Sequence, residues 1–123
     1  MILTWSGRVN MFGDGIKLTI WPIEKMTGYK PVTTFWNDFE IAEVCGGEEA
    51  IKDTYKRGMK YWSWDVKMVT ELAMVVNWRM FYWFDRKNYK LARLYEKLWV
   101  DCDKWCMKNL KDDDLTYYVR TTD

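Results

Sequence analysis

The sequence predicts an α+β domain that is mainly helical, with a four-helix core behind a short N-terminal β-strand or hairpin. Three observations carry that reading. Between Met68 and Phe84 the only polar side chains are Thr70, Glu71, Asn77 and Arg79, so a helix there is apolar nearly all the way round and needs neighbours on several sides. Elsewhere between residues 35 and 110, apolar residues return at helical spacing. Ahead of them, Ile16, Leu18 and Ile20 alternate with Lys17, Thr19 and Trp21 until Pro22, which is the period of a strand.

The 123 residues fit one domain, with an extended or β segment over 1–32, a helical core over 33–111 and a C-terminal tail over 112–123. Hydrophobic residues make up 49% and prolines number only two, which excludes a disordered chain. Nine Trp and eight Tyr are more aromatic surface than a core of this size hides, so some are expected in an exposed contact surface. Nineteen basic against eighteen acidic residues give a net charge of +1, which argues against a whole-body polyanion binder and against an acidic mimic of nucleic acid. Three cysteines, Cys45, Cys102 and Cys106, are an odd number, and two of them lie four apart on an expected helix. That is poor bridging geometry, so a reduced, cytoplasmic setting is expected. Met1 to Asn10 lacks the apolar run of a signal peptide. Lys67, Glu71, Arg79 and Asp85 argue against a membrane span through the apolar stretch.

In chain order, Gly7, Gly13, Asp14 and Gly15 supply turns for a hairpin that pairs the Ile16–Trp21 run with Ile2–Trp5 or Arg8–Phe12. Gly28 to Val32 is a connector, with Pro31 keeping its predecessor out of helical geometry. Thr33 or Thr34 caps a first helix over Phe35–Val44, with Phe35, Phe39 and Ala42 inward and Trp36 beside them. After Gly46 and Gly47, a second helix over Glu48–Trp62 is expected to bury Ile51, Thr54, Tyr55, Gly58 and Trp62. Gly58 costs about 1 kcal/mol against Ala inside a helix, so a close helix crossing is expected there. Ser63 or Asp65 caps the third helix, about 65–85, the centre of the fold, with its main stripe on Val66, Val69, Leu72, Ala73, Val76, Met80 and Trp83. A second stripe, Met68, Val75, Trp78 and Tyr82, points away from the first. A fourth helix over Tyr89 to about Leu110 turns Leu91, Leu94, Tyr95, Leu98, Cys102, Trp105 and Cys106 inward, and Asp112–Asp114 can cap one more turn before Tyr117 and Tyr118.

No histidine is present, which removes Ser/His and Cys/His nucleophile pairs and the usual metal ligand together. Cys102 and Cys106 with Cys45 fall short of a zinc set and read as core thiols. The triple Asp lacks the glycine and closing glutamate of a calcium loop. No cofactor, no metal and no catalytic residue is therefore assigned, and a non-enzymatic protein is expected. Glu71 and Arg79, two turns apart, are expected to reach structural partners on other helices, since either would be costly if buried alone. On the fourth helix, Lys90, Arg93, Lys97, Lys104, Lys108 and Lys111 fall within roughly 60° of arc opposite the apolar stripe, either as a solvated face or as a track for phosphates.

Ile41 to Gly46 resembles the opening of a helix-turn-helix, but Glu48 and Glu49 put acids where phosphates must lie, so an ordinary helical hairpin is expected. At family level, the runs Thr33–Phe39 and Ala50–Arg57, Thr70-Glu71-Leu72 with Asn77-Trp78, and the close from Tyr117-Tyr118 to Thr122-Asp123 resemble small accessory proteins of bacteriophages and mobile elements of gut bacteria. The resemblance covers roughly Ile16 to Asp123 and carries over no catalytic residue. It implies an accessory protein of the bacterial host cytoplasm, with the first fifteen residues a private extension.

The function expected from these readings is a non-enzymatic protein-binding module, a phage accessory or counter-defence factor that occupies a host protein or a second copy of itself. Met68, Val75, Trp78 and Tyr82 are the expected contact. The alternative is a small nucleic-acid-binding protein using the basic edge Lys90–Lys111.

Overall fold

The structure is a computed structural model and describes Thr19 and residues 21–122. Six helices are present among them: α1 Pro22–Thr27, α2 Phe35–Cys45, α3 Gly47–Trp62, α4 Val66–Asp85, α5 Tyr89–Asn109 and α6 Asp113–Thr122. The α+β expectation is corrected, because the described chain is essentially all helical and contains no strand. The expected strand and hairpin fall almost wholly outside the described residues. At their border, Pro22 serves differently from expectation. Its fixed φ and missing N–H, read as a strand stop, suit the first turn of a helix equally well, and α1 begins on it.

Local chemistry sets the helix ends. Gly28 closes α1 at φ 77°, its N–H donating to Glu24 O. At the α2–α3 corner, Gly46 N–H donates to Ala42 O at 3.0 Å and Gly47 takes φ 67°, a left-handed turn that L side chains resist. Asp65 caps α4 by accepting from Lys67 N at 2.9 Å and Met68 N at 3.3 Å. Asn88 caps α5 by accepting from Leu91 N at 3.2 Å, after Lys87 has taken φ 62°.

Helix α4 is the centre, as the apolar stretch demands. Every residue from Val69 to Val76 is buried, a state a helix reaches only with neighbours on all sides. Those neighbours are α2, α3, α5 and α6. The α3–α4 crossing is close at Gly58, where an added Cβ would lie 3.0 Å from Leu72 Cδ2. The core joins Phe35, Trp36 and Phe39 of α2, Ile51 and Tyr55 of α3, Leu94, Tyr95, Cys102 and Cys106 of α5, and Tyr118 of α6. Cys102 and Cys106 are buried free thiols, and the neighbouring Cys106 together with burial raises the Cys102 pKa well above a thiol's ordinary value.

Two further expectations change. The tail is not a single turn: α6 runs ten residues, with Leu115, Tyr118 and Val119 against the core and the Tyr118 hydroxyl donating to Asp103 of α5. Trp62, expected inside, is 40% exposed in the last turn of α3.

Candidate functional site

Three places in the fold combine polar chemistry or exposed aromatic surface: a buried ion cluster, a groove beside an aromatic corner, and a basic helix edge. The cluster forms where α2 crosses α4. Glu40 and Glu43 lie three apart, one helical turn, so both face α4, and Arg79 meets them there. Arg79, 1% exposed, donates from Nε to Glu43 Oε2 at 3.0 Å and from Nη2 to Glu43 Oε1. Its Nη1 lies 3.7 Å from Glu40 Oε2. The guanidinium also sits 4.7 Å from the Trp36 ring centroid. Glu43 further accepts from Trp83 Nε1 at 3.0 Å and from the Tyr95 hydroxyl. Burial works to lower the Arg79 pKa, but the Glu43 carboxylate outweighs it and the net direction is upward, so Arg79 stays charged.

Glu40 holds the start of the described chain. Its carboxylate accepts from Thr19 N at 3.1 and 3.0 Å and from the Thr19 hydroxyl, and the same hydroxyl accepts from Trp36 Nε1 at 2.8 Å. Burial pushes the Glu40 carboxyl up to about 7, against the Thr19 hydrogen bond and the Arg79 charge, which both pull it down. Farther along α4, Glu71 is wholly buried and gathers the 29–33 segment. It accepts from Tyr29 Oη at 3.1 Å, Val32 N at 2.9 Å, Thr33 N at 2.8 Å and the Thr33 hydroxyl. Both interrupting charges of the apolar helix are therefore structural: Arg79 ties α2 to α4, and Glu71 ties down a loop. Glu71 is saturated by protein groups, whereas the buried Nη1 of Arg79 makes no hydrogen bond among the described residues.

The contact stripe expected from sequence divides by burial. Val75 is completely buried and out of reach of another chain. Met68, Trp78 and Tyr82 are half-buried, and the Tyr82 ring is already engaged by two guanidiniums, Arg79 at 4.1 Å and Arg86 at 3.6 Å. Near this stripe the 29–33 segment is bound to α4 through Glu71, one turn before Val75, and α6 also packs on α4, with Leu115, Tyr118, Val119 and Thr122 at the helical spacing that marks an inward face.

Free aromatic surface lies instead at the α3–α4 corner. Trp64 is 75% exposed and Tyr61 54%, and the Trp64 indole N–H donates to Tyr61 O at 2.7 Å, with the Trp62 ring 6.3 Å from the Trp64 ring. The indole of Trp64 is thus fixed while its faces remain in solvent. Tyr61 and Trp62 are also one end of a groove of about 740 Å³ between α2 and α3. Its wall includes Phe35, Ile41, Ala42, Ala50 and Gly58, and Asp38, Asp53 and Arg57 bring charge to it. Burial pushes the Asp38 carboxyl up, while the Thr34 hydroxyl and Arg57 pull it down. Arg57 is engaged by Asp53 at 3.3 Å.

All six cations of the expected edge are exposed, with Lys90, Arg93, Lys97, Lys104 and Lys108 on α5 and Lys111 just beyond its extended C-cap Leu110. Lys90 pairs with Glu48 at 3.0 Å and Arg93 with Glu96 at 2.9 Å. The other four have no acid at ion-pairing distance among the described residues. Asp101, the acid beside the arc, accepts from the Tyr55 hydroxyl at 2.6 Å. Among the described residues no group of three or more Cys, Asp or Glu is placed to hold a metal ion, and no helix is long and apolar enough to cross a membrane.

Comparison with protein-family models, with curated proteins and with solved structures finds no match to this chain.

Proposed function

We propose that this protein is a protein-binding module whose contact surface is the α2–α3 groove with the aromatic corner Tyr61, Trp62 and Trp64. One observation carries the reading: Trp64 is 75% exposed and held by its own indole hydrogen bond to Tyr61, which with Trp62 lines an apolar-walled groove. Exposing a large ring has no benefit to a folded monomer, whereas a rigid aromatic beside a cleft is the usual anchor of an interface. A groove between two antiparallel helices accepts the apolar face of a third helix, so the partner surface that fits is an amphipathic helix. The phage-like sequence runs supply the setting, a host protein occupied by a small accessory factor.

The test begins with affinity purification from the host cell with a nuclease-treated control, followed by reconstitution with the purified partner. Trp64→Ala combined with Tyr61→Ala is expected to weaken binding at least tenfold, since interface aromatics contribute about 2 kcal/mol or more each. A partner that binds the double variant as tightly as wild type overturns the assignment, and so does complete loss of the partner on nuclease treatment.

A further inference from the structure

We infer that the α4–α5 corner and the exposed edge of α5 form a binding surface for single-stranded nucleic acid, distinct from the α2–α3 groove. Two independent features meet there. The first is charge. Five cations follow one edge of α5, with Lys111 just past its end, and Lys90 to Lys108 spans about 27 Å at the helical rise. The two that are paired, Lys90 and Arg93, are themselves exposed and have part-exposed partners, and pairs open to solvent are worth so little that phosphates can replace them. The whole-chain charge of +1 makes this concentration of positive charge local.

The second feature is aromatic. At the N-terminal end of that edge, Tyr89 is 55% exposed and Phe81 54%. Phe84 lies between the two elements, its ring 6.2 Å from that of Tyr89 and 5.2 Å from the Arg93 guanidinium. Phe81 and Phe84 line one groove of about 630 Å³, together with Trp78, Tyr82 and Arg86, and Asp85 is its one acid among the described residues. Flat apolar rings interleaved with guanidiniums, continuing into a row of lysines, complement a chain that alternates stackable rings with phosphates. A duplex hides its bases from such rings, whereas an unpaired strand offers a base to each ring and a phosphate to each cation, so an unpaired strand is the occupant favoured.

The experiment is fluorescence anisotropy of a labelled oligothymidylate of about 20 nucleotides, titrated with the full chain at about 50 mM salt and then at rising salt. Binding is expected, with log affinity falling against log salt at a slope of about −3 if the four free lysines each meet a phosphate. Lys97→Glu with Lys104→Glu is expected to weaken binding more than tenfold. Phe81→Ala, at an exposed position, is expected to weaken it about tenfold by removing one stacking platform. Unchanged circular dichroism shows that each variant is folded. No binding at the lowest salt overturns the proposal. So does a duplex that binds as tightly as the single strand, an unaffected Phe81→Ala, or polyglutamate displacing the oligonucleotide at equal charge concentration. The last result would identify an acidic protein as the ligand.

Discussion

Replacing Glu40 with Gln removes a carboxyl of the buried cluster that burial pushes up toward neutrality. Glu43 already balances Arg79, so an ionised Glu40 gives the cluster two carboxylates to one guanidinium. Burial raises the Glu40 carboxyl from its ordinary 4.5 to about 7. Because the folded pKa is the higher one, the folded chain binds this proton more tightly than the unfolded chain between those two values. Stability contributed at Glu40 is therefore greatest at low pH and falls as pH rises from about 4.5 to about 7. At 1.36 kcal/mol per pKa unit the difference is about 3 kcal/mol. Gln cannot ionise, so the stability of Glu40→Gln relative to wild type is expected to rise by about 3 kcal/mol between pH 4.5 and 8. Urea denaturation followed by tryptophan fluorescence, run on both proteins at several pH values, reads this directly, since all other titrating groups cancel in the difference. Parallel profiles, or a wild type that gains on the variant as pH rises, would refute the placement of Glu40 in a buried, acid-rich cluster.

Removing the cation of the same cluster is expected to be severe. Arg79→Ala leaves Glu43 and Glu40 buried without their counter-charge and should cost about 3–5 kcal/mol in denaturant titration; a loss under 1 kcal/mol would mean that the cluster is solvated. At the α4–α5 turn, Lys87 holds φ 62° without needing its side chain, so Lys87→Gly should stabilise the fold by about 0.5–1 kcal/mol in the same titration by removing left-handed strain. A destabilised Lys87→Gly would place the strain elsewhere.

The four long helices were legible because their signals are local. Asp65 stands just before α4, Gly46 stands between α2 and α3, and the inward faces repeat at 3.6 residues. The position of α4 at the centre followed from having no polar face wide enough for solvent. The α+β assignment failed at Pro22, a residue that ends a strand and begins a helix with the same fixed φ. The burial of Val75 was hidden for a different reason: the elements that pack on α4, among them the 29–33 segment tied to Glu71 and a helix from the far end of the chain, are not written near Val75. The signal for α6 was present all the same, in the spacing of Leu115, Tyr118, Val119 and Thr122. The Glu40–Glu43–Arg79 cluster was half legible: Arg79 needed a partner on another helix, but which acids would meet it depends on how α2 crosses α4. The α2–α3 groove was not legible at all, because a groove is the space that two helices leave, and Trp62 read as an inward residue.

The protein-binding surface is the claim on which the functional account turns, and hydrogen–deuterium exchange with and without the purified partner tests it most directly. Slowed exchange on partner addition is expected across residues 41–64, covering the end of α2, all of α3 and the Trp64 corner. Protection confined to Trp78–Phe84 of α4 or to the α5 edge, with residues 41–64 unchanged, would contradict it.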